Sequence, residues 1–259
     1  MVQPRSAGSV CRRPQGFTLL ELLVVMSIIC LMMSLLLPSL THTQKQAEQI
    51  HCLANQHQVI LAWLQYAIEH DDKLCPPEHG VTDSNDMTFF PGSYASRLRP
   101  YVQMKEVFLC KSAGEMGTGE GARLSTRHTS YGLSNAMGGA QRDGVEPFVA
   151  LHMVSRPSER MVLVDKEPES SDCFWPLLRS AKQWTWRPWS EFGFGSLQGM
   201  TGRHNNGCNM SFADGHGEYA AWKDPRTRKL IKGLIADPNE AALDNADLEY
   251  LVTILAHGS

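Results

Sequence analysis

A single carboxylate stands inside a long apolar run near the start of the chain. The run begins at Phe17, and Glu21 is its one charged residue before Leu37. Placing an ionised carboxylate in hydrocarbon costs about 3 kcal/mol or more unless it finds a partner. Acidic groups in such segments are therefore rare, and they mark functional sites. Glu21 is thus a candidate for a specific charge interaction.

A short basic leader precedes this run. It contains three arginines and no acidic residue, and it ends in Gly16. Residues 12–25 read Arg-Arg-Pro-Gln-Gly-Phe-Thr-Leu-Leu-Glu-Leu-Leu-Val-Val, which resembles the class III signal of type IV pilins and type II secretion pseudopilins. The resemblance implies that a prepilin peptidase cuts between Gly16 and Phe17 and N-methylates Phe17. Glu21 would then be the fifth mature residue.

Three other interpretations of the N-terminus compete with this one. An ordinary secretory signal has a small-residue cleavage site after its apolar run, whereas residues 35–40 read Leu-Leu-Leu-Pro-Ser-Leu. The Arg-Arg pair suggests a twin-arginine signal, but its spacing to Phe17 is wrong and the same cleavage site is missing. A plain uncleaved anchor explains the hydrophobicity but neither Gly16-Phe17 nor Glu21. The prepilin interpretation accounts for all of these features.

The apolar run is long enough to cross a membrane. Residues 17–37 match the roughly 20 residues that a spanning helix needs. The basic leader predicts a cytoplasmic N-terminus and an exported remainder. We therefore expect a single-pass protein of the bacterial inner membrane, with its C-terminal domain in the periplasm or in an extracellular filament. Pro38 is expected to kink the helix near the outer end of the span, and pilins commonly carry a Pro at the matching place.

Size, charge and cysteine content limit what the rest of the chain can be. About 220 residues follow the leader and the span, enough for one globular domain. The net charge is −3 and the only basic cluster is the leader, so no nucleic-acid partner is expected. Of the seven cysteines, Cys11 leaves with the leader and Cys30 lies in the span. The others face an oxidising compartment, where disulfides persist. Their odd number leaves at least one unpaired, and the pairing stays open.

The apolar run continues into an amphipathic segment. Six residues recur at helical steps of three and four: Ile50, Leu53, His57, Ile60, Leu64 and Ala67. We predict one nearly continuous helix from Phe17 to about Glu69, whose second half needs a sheet to cover its apolar face. The expected fold class is therefore α+β, with a long N-terminal transmembrane and amphipathic helix packed on an antiparallel β-sheet head domain, as in pilins.

Turn residues divide the remainder of the chain. The predicted organisation is a leader (1–16), a transmembrane helix (17–38), its amphipathic continuation (39–71), a β head domain (72–225) and a helical tail (226–259). A short helix is expected over 93–102. The candidate strands are 107–110, 130–133, 148–154 and 161–165. Segments 208–213 and 216–222 are predicted to form a hairpin around Asp214-Gly215, because Asp-Gly favours the positive φ angles of tight turns.

A second resemblance lies in this head domain. Nine residues separate His204 from Asp214, and Gly215 follows. With the prepilin start, this spacing resembles the bacterial prepilin-type processing-associated family, which is named for it. Four further segments resemble elements of that family: 107–110, 129–135, 157–165 and 212–222, of which the last is the closest local match. Lys111 stands where the family usually has a Pro. The resemblance implies a class of protein more than a mechanism.

His204 and Asp214 could serve two kinds of chemistry. The simpler is a structural hydrogen bond between them that locks a turn. The other is a cation site, since Asp165, Asp214 and carbonyls near Gly215 offer the oxygen ligands that calcium prefers. Calcium is the one cofactor that the sequence suggests, and the structural hydrogen bond is the favoured interpretation.

Zinc and catalysis have weaker support. Cys75-x-x-x-His79 and His204-x-x-x-Cys208 have plausible ligand spacing, but neither is a Cys-x-x-Cys pair and the two are far apart. Ordinary cysteines and surface histidines are the favoured interpretation. Ser211 could complete a triad with His204 and the downstream Asp, yet no nucleophile elbow supports it. The chain is not expected to be an enzyme.

Two further segments have open roles. Residues 175–194 form an aromatic-rich insert that contains Trp175, Trp184, Trp186, Trp189, Phe192 and Phe194 with Arg179, Lys182 and Arg187. Packing of the insert on itself is favoured over a sugar- or partner-binding surface. In the tail, Asn245 is predicted to cap a helix whose apolar stripe comprises Leu248, Leu251, Val252 and Leu255. That helix is expected to pack on the head domain, with contact to a neighbouring subunit as the alternative.

The function expected from these features is assembly. The processed chain would join a type IV pilus or a type II secretion-like filament as a pseudopilin-like subunit, and Glu21 would neutralise the N-terminal amine of a neighbouring subunit. The expected partners are the prepilin peptidase, copies of the chain or other pilin-like subunits, an inner-membrane assembly platform and membrane lipid. The alternative is a membrane-anchored periplasmic ligand-binding module that uses the prepilin start only as an anchor and binds through the aromatic insert.

Overall fold

Two compact units make up the chain, residues 1–44 and residues 45–259. We call the second the head unit. The structure, a computed structural model, describes residues 17–77, 93–113, 129–139, 146–166, 173–174, 200–231 and 244–254. The leader with Gly16, segments 78–92 and 114–128, and the aromatic-rich insert lie outside the described residues.

The first element is the long helix α1, which spans Leu19–Glu69 and contains Pro38. This confirms the predicted continuous helix, which begins two residues after Phe17. The side chains of residues 17–44 are exposed, and the helix is long and apolar enough to cross a membrane. Helical hydrogen bonding continues on both sides of Pro38, so the expected kink stays a prediction.

The second half of α1 has one buried face, as predicted, but that face is shifted from the predicted stripe. Ile60 and Ala67 are buried and Leu53 and Leu64 half-buried, as predicted, whereas the prediction was wrong for two residues. Ile50 is 66% exposed and His57 is exposed as well. The buried residues are Cys52, Asn55, Gln56, Val59, Ile60, Ala62, Trp63 and Ala67. The face is rotated because two polar residues, Asn55 and Gln56, turn inward to hydrogen-bond with the rest of the head unit. An assignment based on apolar residues alone could not include them.

The head unit is built on a five-stranded sheet. The strands are β1 (Tyr131–Ser134), β2 (Met161–Asp165), β3 (Cys173–Phe174), β4 (Gly207–Phe212) and β5 (Gly217–Ala221), in the order β3-β1-β2-β4-β5. Every pairing is antiparallel except that of β1 with the two-residue β3. The predicted α+β class is confirmed, as are the strands at 130–133 and 161–165 and the hairpin β4–β5.

Each face of this sheet is covered by a helix. On one side, Val59, Ile60 and Trp63 of α1 share a core cluster with Leu133 and Leu163. Among the described residues, three shorter helices follow α1 in the chain: α2 (Tyr94–Leu98), α3 (Pro225–Ile231) and α4 (Ala246–Ile254). Helix α4 lies on the other side of the sheet. Because side chains alternate along a strand, successive residues of β4 contact the two helices in turn.

That alternation sorts the side chains of β4 by polarity. Its three apolar side chains, Cys208, Met210 and Phe212, join a cluster with Leu248 and Leu251 of α4. Asn209 and Ser211, in between, hydrogen-bond to α1. The sheet therefore presents an apolar face to α4 and a partly polar face to α1.

Helix α4 confirms the prediction for the tail. Asn245 caps it, since the side-chain Oδ1 accepts from the N–H groups of Asp247 at 3.1 Å and Leu248 at 3.4 Å. Leu248 and Leu251 are fully buried. The side chain of Val252 and all of Leu255 lie outside the described residues.

Two predicted strands were wrong. Residues 105–108 form a 3-10 turn, Lys105–Phe108, held by local bonds such as Leu109 N–H to the Glu106 carbonyl. In the segment 148–154, Phe148 and Ala150 make only isolated bridges, and Leu151–Met153 is another 3-10 turn. Short apolar runs are ambiguous by periodicity, and both segments use the run to fill the core rather than to extend the sheet. The short helix expected over 93–102 is confirmed by α2 and a 3-10 turn at Arg99–Tyr101.

We expect Gly207→Ala to destabilise the head unit strongly. A Cβ at Gly207 would lie 2.2 Å from the Ala220 carbonyl oxygen and 2.6 Å from Tyr219 Cε2. Overpacking of this kind costs about 1–3 kcal/mol. Gly202→Ala is the matched control, because the nearest atom, Trp222 Cδ1, is 3.8 Å away. Urea unfolding of the detergent-solubilised chain, followed by tryptophan fluorescence, compares them. Equal midpoints for the two variants would contradict the β4–β5 packing.

Candidate processing and assembly site

The helix α1 begins with a capping box formed by Thr18 and Glu21. Thr18 donates to Glu21 Oε2 from its backbone N–H at 2.9 Å and from its hydroxyl at 2.8 Å. In return, the Glu21 N–H donates to Thr18 Oγ1 at 3.2 Å. This is the Ser/Thr-x-x-Glu arrangement in which two orphan donors of a helix start are satisfied reciprocally. The spacing Thr18-x-x-Glu21 was readable in the sequence, but Glu21 alone had been singled out.

Phe17 directly precedes this cap. It is 74% exposed and lies outside the helix. The bond that joins it to Gly16 therefore lies N-terminal to the capping residue, so cleavage there does not require α1 to unwind. Removal of the leader would leave Thr18 as the second residue and the capping box intact.

The surroundings of Glu21 are apolar and exposed. Leu20 is 72% exposed, Leu22 54% and Leu23 63%. Glu21 Oε2 receives both Thr18 bonds, and Oε1 accepts no hydrogen bond from the described residues. The site thus offers one carboxylate oxygen, at the N-terminal end of a helix, in an otherwise apolar exposed surface.

This N-terminus matches a known family of sequences. A family model described as a prokaryotic N-terminal methylation motif covers residues 11–37, including Gly16, Phe17 and Glu21. The N-terminal region is that of a type IV pilin-like protein. The motif supports processing by a prepilin peptidase. No curated protein and no solved structure matches the chain. Since the match ends at residue 37, the resemblance of the head to the His-x(9)-Asp-Gly family stays a prediction.

In the head unit, His204 is positioned by a tight turn before β4. Asn205 and Asn206 have φ angles of 48° and 61°, and the Gly207 N–H donates to the His204 carbonyl at 2.9 Å. Two successive residues with positive φ are typical of a type I′ turn, which Asn tolerates well. The turn directs His204 into the interior, where it is 2% exposed.

Asp214 serves a different turn, at the far end of β4. Its Oδ1 accepts from the His216 N–H at 3.1 Å and contacts His216 Nδ1 at 2.6 Å. Gly215 has a φ of 96°, as the predicted Asp-Gly turn requires. The Gly215 carbonyl lies 3.0 Å from Nδ1 of His57 in α1. Asp214 and Gly215 therefore shape the hairpin turn and dock it on the helix.

The predicted contact between His204 and Asp214 was wrong. His204 Nε2 instead lies 3.6 Å from Asp165 Oδ2, while Asp214 pairs with His216. The two residues sit at opposite ends of β4, whose six residues span about 20 Å when extended. The nine-residue spacing therefore marks two separate turns that flank one strand.

The calcium site and the triad are not assembled either. Asp165 is fully buried, and its two oxygens accept from Gln56 Nε2 at 2.8 Å and from the Asn209 N–H at 2.8 Å. Asp165 therefore lies in the interior, whereas Asp214 is exposed at the hairpin turn between β4 and β5. Ser211 donates to Gln56 Oε1 at 3.1 Å beneath α1 and is fully buried.

Gln56 is the centre of a buried polar network that the sequence did not reveal. Its Nε2 donates to Asp165 and also to the Asn209 carbonyl at 3.2 Å, and its Oε1 accepts from Ser211. Asn209 Nδ2 in turn donates to the Gln49 carbonyl at 3.0 Å. Asn209 Oδ1 is buried without a hydrogen-bond partner among the described residues. The bonds that are made favour one arrangement over its neighbours, because a shift of register would leave further polar groups unpaired. This network fixes the register of α1 against β2 and β4.

Of the two zinc-like spacings considered in the sequence, only His204-x-x-x-Cys208 falls within the described residues, and its two side chains are not brought together. His79 lies outside the described residues, and Cys75 is buried in the α1 core cluster. Cys208 belongs to the α4 side of the sheet, opposite His204. The neighbours of His204 are instead Cys110, whose Sγ lies 3.5 Å from Nε2, and, beyond it, Cys52.

The groups around His204 have pKa values that are shifted from their ordinary values. A hydrogen bond from Cys52 lowers the pKa of Cys110 to about 4; burial opposes this shift, and a hydrogen bond with His204 supports it. The same bond to Cys110, together with burial, raises the pKa of Cys52. Burial raises the pKa of Asp165 to about 6, although His204 and the Asn209 N–H oppose the rise. The pocket thus favours a thiolate at Cys110.

We expect double-mutant cycles to show that Gln56 and Ser211 are energetically coupled, whereas His204 and Asp214 are independent. Gln56→Ala and Ser211→Ala should each lose about 1–3 kcal/mol of unfolding free energy, because each leaves a buried partner unsatisfied. The double mutant should lose less than the sum, since contacting residues couple by about 0.5–3 kcal/mol. His204→Ala and Asp214→Ala should instead be additive to within roughly 0.5 kcal/mol. Chemical denaturation of the full chain measures the unfolding free energy of the four single mutants and the two double mutants. Strong coupling between His204 and Asp214 would contradict their placement at opposite ends of β4.

Proposed function

We propose that this pilin-like protein is a pseudopilin-type subunit that assembles into a type IV pilus or a type II secretion-like filament after its leader is removed. The observation that carries the proposal is the position of Glu21. It is the only charged residue in the exposed apolar segment 17–44, and it follows the processing site within the matched motif.

Cleavage would create a positive charge close to this carboxylate. The new amine belongs to Phe17, and Glu21 lies one helical turn away on the same chain. Within one subunit, Glu21 is occupied by Thr18 through Oε2, which leaves Oε1 to accept from the amine of a neighbouring subunit. Attraction between the two charges is strong in a low-dielectric surrounding. This pairing would fix the axial register of one subunit against the next.

The apolar side chains of the same segment provide the remaining driving force. Burying one Leu, Ile or Val side chain is worth about 1.5–3 kcal/mol, and residues 19–40 carry many such side chains in the exposed state. A bilayer covers them before assembly, and the helices of neighbouring subunits would cover them in a filament. The inner membrane, an assembly platform and further pilin-like subunits are thus the proposed partners, with the head unit in the periplasm or on the filament surface.

Shearing of cells separates filament from membrane and so tests the proposal. The processed chain should appear in the sheared fraction, together with pilin-like subunits that cross-link to it, and should disappear from that fraction when the assembly platform is deleted. Recovery of the processed chain from the membrane fraction alone, with the platform present, would contradict assembly and would favour a membrane-anchored binding module.

A further inference from the structure

Three potential metal ligands converge in the interior of the head unit. The Sγ atoms of Cys52 and Cys110 and a ring nitrogen of His204 all lie within 4.8 Å of one another. The residues are 1%, 6% and 2% exposed. They come from α1, from the segment after the 3-10 turn Lys105–Phe108, and from the turn before β4. Long-range folding, and not local sequence, has brought them together.

We propose that Cys52, Cys110 and His204 bind one zinc ion. Zinc holds thiolate sulfur at about 2.3 Å and imidazole nitrogen at about 2.0 Å, so tetrahedral ligands of these two kinds lie about 3.5 Å apart. The distance from Cys110 Sγ to His204 Nε2 is 3.5 Å. The Asp165 carboxylate, 3.6 Å from the same nitrogen, is the candidate for the fourth ligand. On binding, each thiol that is still protonated releases its proton to solvent.

The ligand set selects the metal. Two thiolates and an imidazole suit zinc, whereas calcium and magnesium require a set made of oxygens. The competing chemistry is a disulfide between Cys52 and Cys110, since such bonds persist in exported proteins. A disulfide uses both thiols and leaves His204 its contact with Asp165, but it does not account for the imidazole nitrogen at ligand distance from the Cys110 sulfur. The position of His204 therefore favours the metal.

Zinc at this place would clamp α1 to the sheet. Cys52 lies one turn before Gln56, whose network sets the register of the same helix, and Asn55 Nδ2 donates to the Leu109 carbonyl at 3.2 Å, beside Cys110. The ion would join the helix to the loop and to the start of β4 at once. Since structural zinc contributes directly to folding free energy, the site would make the head unit dependent on zinc.

The test uses the full chain, purified in detergent without chelators. Elemental analysis should find about one zinc per chain. Replacement of zinc by Co²⁺ should produce the thiolate-to-metal charge-transfer band and the intense d–d bands of a tetrahedral site. Cys52→Ser and Cys110→Ser should each lose the stoichiometric metal. Cys30→Ser, an exposed thiol, and Cys75→Ser, a buried thiol outside the cluster, should retain it.

His204 needs two substitutions, because His204→Ala also removes its contact with Asp165. His204→Ala should abolish binding, whereas His204→Cys, which preserves a ligand, should retain cobalt with a charge-transfer band increased by the third thiolate. The cobalt spectrum of the wild-type chain requires no substitution, and it shows by itself whether a tetrahedral thiolate site is present. A strong chelator should lower the melting midpoint of the wild type by several degrees and leave that of Cys52→Ser unchanged.

Two results would overturn the proposal. Metal-free protein whose mass is two hydrogens below that of the reduced chain, with Cys52 and Cys110 in one linked peptide, would establish the disulfide. Metal-free protein in which both thiols react with an alkylating reagent after unfolding, and which gains no cobalt spectrum, would show that the cluster is core packing only.

Discussion

Glu21→Val should leave the leader cleaved and the chain inserted in the membrane, yet almost abolish its recovery in filaments. The substitution makes the span more apolar, which favours insertion. In the proposed filament, it would leave the N-terminal amine of the neighbouring subunit without its counter-charge. Removing one member of a buried ion pair costs about 3–5 kcal/mol, so the sheared fraction should fall by at least about tenfold. Immunoblots of sheared and membrane fractions measure the ratio.

Because Glu21 also caps α1, two matched variants are needed to separate its roles. Glu21→Gln keeps the capping box, since Gln serves at this position, but it removes the charge, and it should fail to assemble as Glu21→Val does. Thr18→Ala removes the cap, at about 1 kcal/mol of helix stability, but it keeps the carboxylate and should assemble to within a few-fold of wild type. The opposite ranking would show that Glu21 acts through the cap and not through its charge.

Replacing Gly16 with a bulky residue should block processing. We expect Gly16→Leu to accumulate in the membrane at full length, because a side chain is placed next to the bond that the prepilin peptidase cuts. The exposed Phe17 on the other side of that bond and the helix start at Leu19 are unchanged. Gly8→Leu is the control: it makes the same change within the same leader, eight residues from the cut. Gel mobility against a Phe17-start standard measures both.

Complete cleavage of Gly16→Leu would mean that the cut lies elsewhere. A block in both variants would instead point to a general defect of the altered leader, such as failure to insert. Only a block confined to Gly16→Leu agrees with the proposed site.

Local patterns predicted the parts of the fold that local chemistry decides. The strand Met161–Asp165 has the predicted bounds because a short apolar run with two β-branched valines follows a Pro-containing turn. The hairpin β4–β5 followed from Asp214-Gly215, and the Asn245 cap followed from a polar residue placed before an apolar stripe. In each case, the contacts that decide the structure lie within a few residues in sequence.

Contacts between distant segments decided the rest. The polar part of the buried face of α1 was missed because Gln56 is buried by its bond to Asp165, which is 109 residues away. The neighbours of His204 were missed for the same reason, since its contact with Cys110 spans 94 residues. Spacing rules compare residues that are close in the chain, so they paired His204 with Cys208 and with Asp214. Cys208 lies on the other face of the sheet, and Asp214 lies at the other end of β4.

The capping box is a different kind of omission. Thr18 and Glu21 are three residues apart, and the pattern is a recognised helix start. The apolar setting of Glu21 predicts a free-energy cost for its carboxylate in the membrane, whereas the Thr18-x-x-Glu21 spacing predicts its local hydrogen bonds. One carboxylate oxygen caps its own helix, and in the proposed filament the other would accept from a neighbouring subunit.

The mass of the native N-terminal peptide tests the central claim most directly. The chain should be isolated from membranes of a host with an active prepilin peptidase, digested, and sequenced by tandem mass spectrometry. The claim predicts that the first residue is Phe17 and that its amine carries one methyl group. An intact Met1 start, or a cut at the C-terminal end of the apolar run, would contradict the assignment of the chain as a processed pilin-like protein.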